Sequence, residues 1–152
     1  MPIRCMQSNL GGIDAMLQDI ALDRYLCAIL ILGEEIDEVR SVDVADWLGC
    51  TKTSVSVTLK ELIKKSLVER ADRGRLVLTP TGACRAAVYR RYFRQFERLL
   101  ICAGMNEADA KQDSFAIVRA LSVHSRENLC RYLEDMESPE NGRTINGWRR
   151  KK

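Results

Sequence analysis

Six residues between positions 51 and 60 carry groups that can grip a phosphate backbone or a base edge: Thr51, Lys52, Thr53, Ser54, Ser56 and Lys60. Small hydroxyls allow close approach and donate or accept one short hydrogen bond, while the two lysines add longer reach. If these residues open a helix, its N-terminus adds a partial positive charge that favours an anion. A second basic group, Arg73-Gly74-Arg75, has two guanidinium groups astride a glycine. At a hairpin tip such a pair can enter a minor groove or clamp a phosphate. Ser41, placed to cap a preceding helix, completes the set. The chemistry indicated is nucleic-acid binding. The residue patterns of an enzyme are missing: the chain has no Gly-rich phosphate loop, no HExxH and no nucleophile elbow.

Other reactive side chains are sparse. Six cysteines stand at positions 5, 27, 50, 84, 102 and 130 with no CxxC pair, and His124 is the single histidine. That pattern implies no disulfide framework and a reduced, cytoplasmic protein. No run of 18 or more apolar residues occurs, and no long apolar stretch follows Met1-Pro2-Ile3-Arg4, so neither a membrane span nor a signal peptide is expected.

Charge is segregated along the 152 residues. The formal net charge is +3, yet positions 1–50 hold 3 basic and 9 acidic residues, 51–100 hold 12 and 4, and 101–152 hold 9 and 8. The middle third is thus a +8 block containing both basic groups. Such a block is a candidate phosphate-binding face, the alternative being an ordinary solvated helix surface.

The elements that must position these groups follow from periodicity and punctuation. Residues 1–12 read as a loose arm. Ile13, Met16, Ile20, Leu22, Tyr25, Leu26, Ile29 and Leu30 recur at helical spacing, with a stop expected at Gly33. Ser41 is expected to cap a short helix burying Val44, Ala45 and Leu48, ended by Gly49. A helix beginning at Thr51 or Thr53 and ending near Lys65 buries Val55, Leu59, Leu62 and Ile63. Leu67–Arg70 and Leu76–Thr79 are strand-like and joined by a turn at Gly74. Pro80 and Gly82 lead into a long Arg-rich helix over 81–102, followed by helices near 107–120 and 123–136.

This order predicts a mainly α fold with a small β-hairpin wing: a winged helix-turn-helix at 13–82, then a helical dimerisation domain at 83–136 and a basic flexible tail at 137–152. One helix enters a major groove while the preceding one braces it. Paired half-sites favour two-fold assembly. Helices 13–32 and 83–102 are the expected bridges between the two modules.

Several segments together resemble a known family. They are Ser41-Val42-Asp43-Val44-Ala45-Asp46-Trp47-Leu48-Gly49, Thr53-Ser54-Val55-Ser56, Leu67-Val68-Glu69-Arg70, the run from Arg73 to Gly82, Val88-Tyr89-Arg90, and Ala116-Ile117 with Leu121-Ser122. This resembles the metal-dependent winged-helix repressors of the diphtheria toxin repressor and manganese transport regulator family, from about Asp23 to Met136. The resemblance implies a homodimer that binds a palindromic operator on double-stranded DNA through Thr51 to Lys60. Without room for a C-terminal SH3-like domain, the chain is closer to the manganese-type architecture. In that type a divalent metal is held by Asp, Glu and His from three helices. The corresponding positions are Arg24, Cys27, Arg91, Phe115, Val118 and Arg119, and none keeps a family ligand. Guanidinium is no ligand for Mn²⁺ or Fe²⁺, so the expectation is no metal and no cofactor.

Three uses of the altered site follow. Arg24, Arg91 and Arg119 can pair with acids such as Asp23 and Asp113 and lock the fold. They can form a pocket for an anionic effector. Or Cys27 can sense redox state with Cys5, Cys102 or Cys130, a thiolate near arginine being more reactive. The functional expectation is a DNA-binding transcriptional regulator not controlled by Mn or Fe. The alternative is a non-enzymatic dimer that keeps the fold and recruits protein partners.

Overall fold

The computed structural model describes residues 20–137; the expected arm at 1–12, the start of the first helix at 13–19 and the tail at 138–152 lie outside the described residues. Among the described residues there are six α-helices and one two-stranded antiparallel hairpin. The chain divides into two compact units, Met1–Tyr89 and Arg90–Lys152. No helix among the described residues is long and apolar enough to cross a membrane.

The first unit is built around α1 (Ile20–Glu35), whose Leu22, Leu26, Cys27, Ala28, Ile29, Ile31 and Leu32 are all buried. A helix covered on so much of its circumference is a core helix. It does not stop at Gly33: the helix continues to Glu35 and the Ile36 amide donates to the Leu32 carbonyl at 2.8 Å. Glycine weakens a helix but breaks it only where a left-handed turn is needed.

The short helix α2 (Ser41–Leu48) also starts differently from expectation. Arg40 is the N-cap, its backbone amide donating to Asp43 Oδ2 at 2.8 Å, and Ser41 is the first helical residue. Reciprocal bonding from the third residue of the helix takes over the capping expected of the serine. The far end is as expected. Gly49 adopts φ +65° and the Cys50 and Gly49 amides close onto the carbonyls of Ala45 and Asp46, a Schellman ending.

Helix α3 (Lys52–Lys64) begins at Thr51, whose Oγ1 accepts the Ser54 amide at 3.2 Å. Val55, Leu59 and Leu62 form its buried stripe, and Ile63 is half-buried. It ends in the same geometry as α2, but with Ser66 at φ +55° where glycine is usual. The Leu67 amide returns to the Leu62 carbonyl at 2.9 Å.

Strands β1 (Val68–Arg70) and β2 (Leu76–Leu78) pair Val68 with Leu78, Glu69 with Val77 and Arg70 with Leu76. The turn between them places Arg73 at φ +58° and Gly74 at φ +79°. The Leu76 amide also donates to the Val39 carbonyl at 2.8 Å, which pins the hairpin to the segment before α2.

Helix α4 (Pro80–Cys102) starts at a crowded junction. Thr79 Oγ1 donates to the Ser66 carbonyl at 2.8 Å and accepts the Gly82 amide at 3.1 Å. A Cβ at Gly82 would lie 1.9 Å from the Leu67 carbonyl oxygen. Glycine is required here by close approach, and the junction fixes the hairpin base, the end of α3 and the start of α4 together. Asp23 of α1, 1% exposed, receives Arg85 Nε of α4 at 2.7 Å. Among the described elements α4 alone runs through both units, since α1 lies wholly in the first.

In the second unit the rest of α4 packs with α5 (Glu107–Ala120) and α6 (Val123–Glu137). Asn106 caps α5 through its Oδ1 and Ser122 Oγ accepts the Ser125 amide at the start of α6. Phe93 stacks on Phe115 with ring centroids 4.6 Å apart, and Tyr92, Phe96, Val118, Cys130 and Leu133 are buried.

Candidate nucleic-acid interface

The buried stripe of α3 fixes what the opposite side presents. With Val55, Leu59 and Leu62 turned inward, the line Thr53, Val57, Lys60 and Lys64 points outward at helical spacing. All four are exposed, as is Lys52 in the first turn. Glu61 and Lys65 form an ion pair at 3.7 Å on the flank. Lys52, Lys60 and Lys64 have no carboxylate within ion-pair distance among the described residues. The same holds for Arg70, Arg73 and Arg75 of the hairpin, all exposed. These six cations, none of them ion-paired among the described residues, stand on α3 and the hairpin within one unit, with Glu61, Glu69 and Asp72 as the acids on the same elements.

The hydroxyls divide into two groups. Thr51 Oγ1 caps the helix and lies 2.9 Å from Ser54 Oγ, and Thr58 Oγ1 donates to the Ser54 carbonyl at 3.0 Å. Thr51 and Ser54 therefore hold the helix start in shape. Thr53 and Ser56 make no side-chain hydrogen bond among the described residues. Ser41 is half-buried in the first turn of α2. Sequence reasoning missed Val57, an apolar residue 63% exposed in the middle of the outward line. Its position two residues after Val55 was the available signal: both cannot lie on one buried helical stripe.

The six positions that the resemblance assigns to a metal site fall in different units and take different roles. Arg24 and Cys27 belong to the first. Arg24 Nη2 donates to the Leu48 carbonyl at 3.0 Å and to Cys50 Sγ at 3.6 Å, so it seals the end of α2. Cys27 is completely buried. Arg91, Phe115, Val118 and Arg119 belong to the second. Phe115 and Val118 are core residues, and Arg119 is exposed in the last turn of α5.

Arg91 is bound by two carboxylates of α6. Its Nε and Nη2 donate to the two oxygens of Glu134 at 2.6 and 2.7 Å, and Nη1 donates to Glu127 at 2.9 Å. The Tyr92 hydroxyl donates to the same Glu127 oxygen at 2.9 Å. The Glu134 pair is bidentate, the strongest form of this contact. It holds the Glu134 carboxyl below the usual carboxylate range and raises the already high pKa of Arg91. At Glu127 burial pushes upward, but the bonds from Arg91 and Tyr92 win and the carboxyl is again held low.

At Arg91 the first of the three uses is met, pairing with acids: its carboxylate partners are Glu127 and Glu134, and Asp23 pairs with Arg85. The Arg91 fork, facing two carboxylates, has its charge more than matched and its donors engaged. Cys130, one of the partners considered for Cys27, is a poorly ionising thiol. Burial pushes its thiol up to about 12 against the pull of Arg91, and Glu134 and Glu127 add to the rise. Desolvation outweighs the nearby cation. His124 is exposed in the first turn of α6, with Nε2 2.9 Å from Asn128 Nδ2.

The site also does not fit the metal its family resemblance implies. A guanidinium bound to two carboxylates, two apolar core residues and a surface arginine supply no donor set for Mn²⁺ or Fe²⁺. Among the described residues no three His, Cys, Asp or Glu side chains cluster in a way that could hold a metal ion.

Comparisons with known proteins bear on the same region. Residues 21–82 match the family model described as a domain of unknown function, DUF8462. That span contains all nine residues expected to touch DNA, with Arg24 and Cys27. Among solved structures the chain is similar to the crystal structure of the hypothetical protein SSo2273 from Sulfolobus solfataricus. The TM-score is 0.50 and the identity 20%, over 81% of this chain and 95% of that one. At that identity the likeness concerns the fold alone. None of the curated proteins matches the chain.

Proposed function

We propose that this chain is a homodimeric winged helix-turn-helix transcriptional regulator that reads a palindromic operator on double-stranded DNA. In this reading α3 lies in the major groove, α2 braces it, and the hairpin carrying Arg73 and Arg75 is the wing. The observation that carries the reading is the set of six exposed cations on α3 and the hairpin, none with a carboxylate partner among the described residues. Surface lysines kept only for solubility mix with acids; here the outward line of α3 bears no acid.

The resemblance to the diphtheria toxin repressor and manganese transport regulator family supports the same reading, without the family's response to Mn or Fe. Of the positions that hold ligands there, Cys27, Phe115 and Val118 are core here, Arg91 is ion-paired, Arg24 caps the end of α2 and Arg119 is exposed. The second unit exposes Leu99, Ile101, Leu129 and Tyr132, with Tyr132 61% exposed, which supplies apolar surface for a second copy. The same surface favours the alternative role, a dimer that recruits protein partners without DNA.

Selection of duplexes from a random pool tests the proposal. The expected result is enrichment of an inverted repeat, bound equally well with and without added Mn²⁺ or Fe²⁺. No enrichment at low salt would overturn the DNA-binding reading in favour of the alternative. A large gain in affinity on adding metal would overturn the metal-independent part alone.

A further inference from the structure

Val57 is the most exposed large apolar side chain among the described residues. Its neighbours on the outward line are Thr53 one turn before and Lys60 and Lys64 in the following turns. The placement contributes little to folding. A β-branched residue on a helix surface lowers helix propensity, and at 63% exposure it contributes little to the core. A branched apolar group between cations fits a surface that meets a polyanion carrying apolar points. DNA offers one such group in its major groove, the 5-methyl of thymine, while the flanking lysines meet the phosphates.

We infer that Val57 is a specificity-determining residue that recognises thymine through its 5-methyl group, and that the operator carries thymine at the base pair facing the middle of α3. This inference rests on the proposed DNA-binding function and names what that site reads. Thr53 and Ser56, the two α3 hydroxyls not engaged with the helix itself, flank it and are free to bond the neighbouring base edges or phosphates. The side chain is short and branched, so it discriminates by contact alone. It favours thymine over cytosine or uracil and leaves polar readout to its neighbours.

The test replaces thymine by uracil, which removes a single methyl and preserves base pairing. The probes are duplexes enriched from the random pool by the intact chain, with each thymine exchanged in turn. One position in each half-site is expected to weaken binding roughly four-fold, the worth of one buried methyl group. Val57→Ala is expected to weaken binding to the thymine duplex and to abolish the difference between the two duplexes. Its high exposure leaves folding intact, which the circular dichroism spectrum checks. If no exchange alters binding by the parent, the inference fails while the DNA-binding reading stands. If an exchange weakens the parent and Val57→Ala equally, another residue reads the methyl and the inference again fails. Absence of any enriched duplex would overturn both.

Discussion

Replacing Gly82 by alanine should destabilise this protein far more than adding one methyl group normally does. The new Cβ would stand 1.9 Å from the Leu67 carbonyl oxygen, whereas real contacts of that kind stay beyond 3.0 Å, so the backbone must separate by more than 1 Å. Leu67 cannot yield easily. Its amide is tied to the Leu62 carbonyl at 2.9 Å and its carbonyl accepts the Thr79 amide at 3.1 Å. Moving α4 instead would stretch the two bonds of Thr79 Oγ1. Overpacking against rigid atoms costs up to about 3 kcal/mol, and a loosened cap about 1 kcal/mol more. The better helix propensity of alanine returns about 1 kcal/mol. The net loss is about 3 kcal/mol. With a urea slope of about 2 kcal/mol/M, that lowers the unfolding midpoint by roughly 1.5 M. Gly33→Ala provides the contrast. Its Cβ would meet only Val39 Cγ2 at 3.9 Å, an ordinary contact, and the change should stabilise by about 0.5 kcal/mol. Urea unfolding of the full chain, followed by circular dichroism, measures both. A Gly82→Ala midpoint within error of the parent would refute the tight junction between hairpin, α3 and α4.

Three further outcomes follow from the same structure. Ser66→Gly should raise stability by about 1 kcal/mol in the same assay, because Ser66 holds φ +55° at the end of α3. At pH 8 in the native chain, the exposed Cys102 should react with iodoacetamide while Cys27 and Cys130 stay unmodified until urea is added; mass spectrometry of peptides reads this. Glu127 and Glu134 are held below their ordinary values in the folded state. Their stabilisation is therefore complete above the unfolded carboxylate range, near pH 4.3, and is lost as pH falls through the lower folded values. Arg91→Met should lower stability at pH 7 and flatten this acid-side loss, as urea midpoints measured between pH 3 and pH 7 will show.

Much of the first unit was legible because its signals are local. A helix start at Thr51 or Thr53, the spacing of Val55, Leu59 and Leu62, the stop at Gly49 and the glycine at the hairpin tip each act within a few residues. Gly33 was misleading since glycine permits a left-handed turn without imposing one. Ser41 gave way to Arg40 as cap because Asp43 could reach back to its amide. The surroundings of Arg24 and Arg91 were not legible. Arg24 meets a carbonyl 24 residues away, and Arg91 meets acids 36 and 43 residues away. Such partners depend on how helices pack, which spacing along the chain does not encode. Cys130 shows the same limit, for its burial and the acids beside it, which hold the thiol high, come from residues brought together by packing. The outward face of α3 was legible in its lysines and hydroxyls, but only the packed helix separates the hydroxyls that cap from those that face out, and reveals Val57 among them.

The central claim is that the exposed cations of α3 and the hairpin hold the DNA backbone, and the salt dependence of binding tests it most directly. Affinity for an enriched duplex should fall steeply with salt, with a log–log slope of about −5 or steeper for a dimer using several of its cations. Lys60→Ala and Arg73→Ala should each make the slope shallower by about 1 per chain, hence about 2 per dimer, while leaving the unfolding midpoint unchanged. A slope near zero, or one that neither substitution alters, would contradict the account.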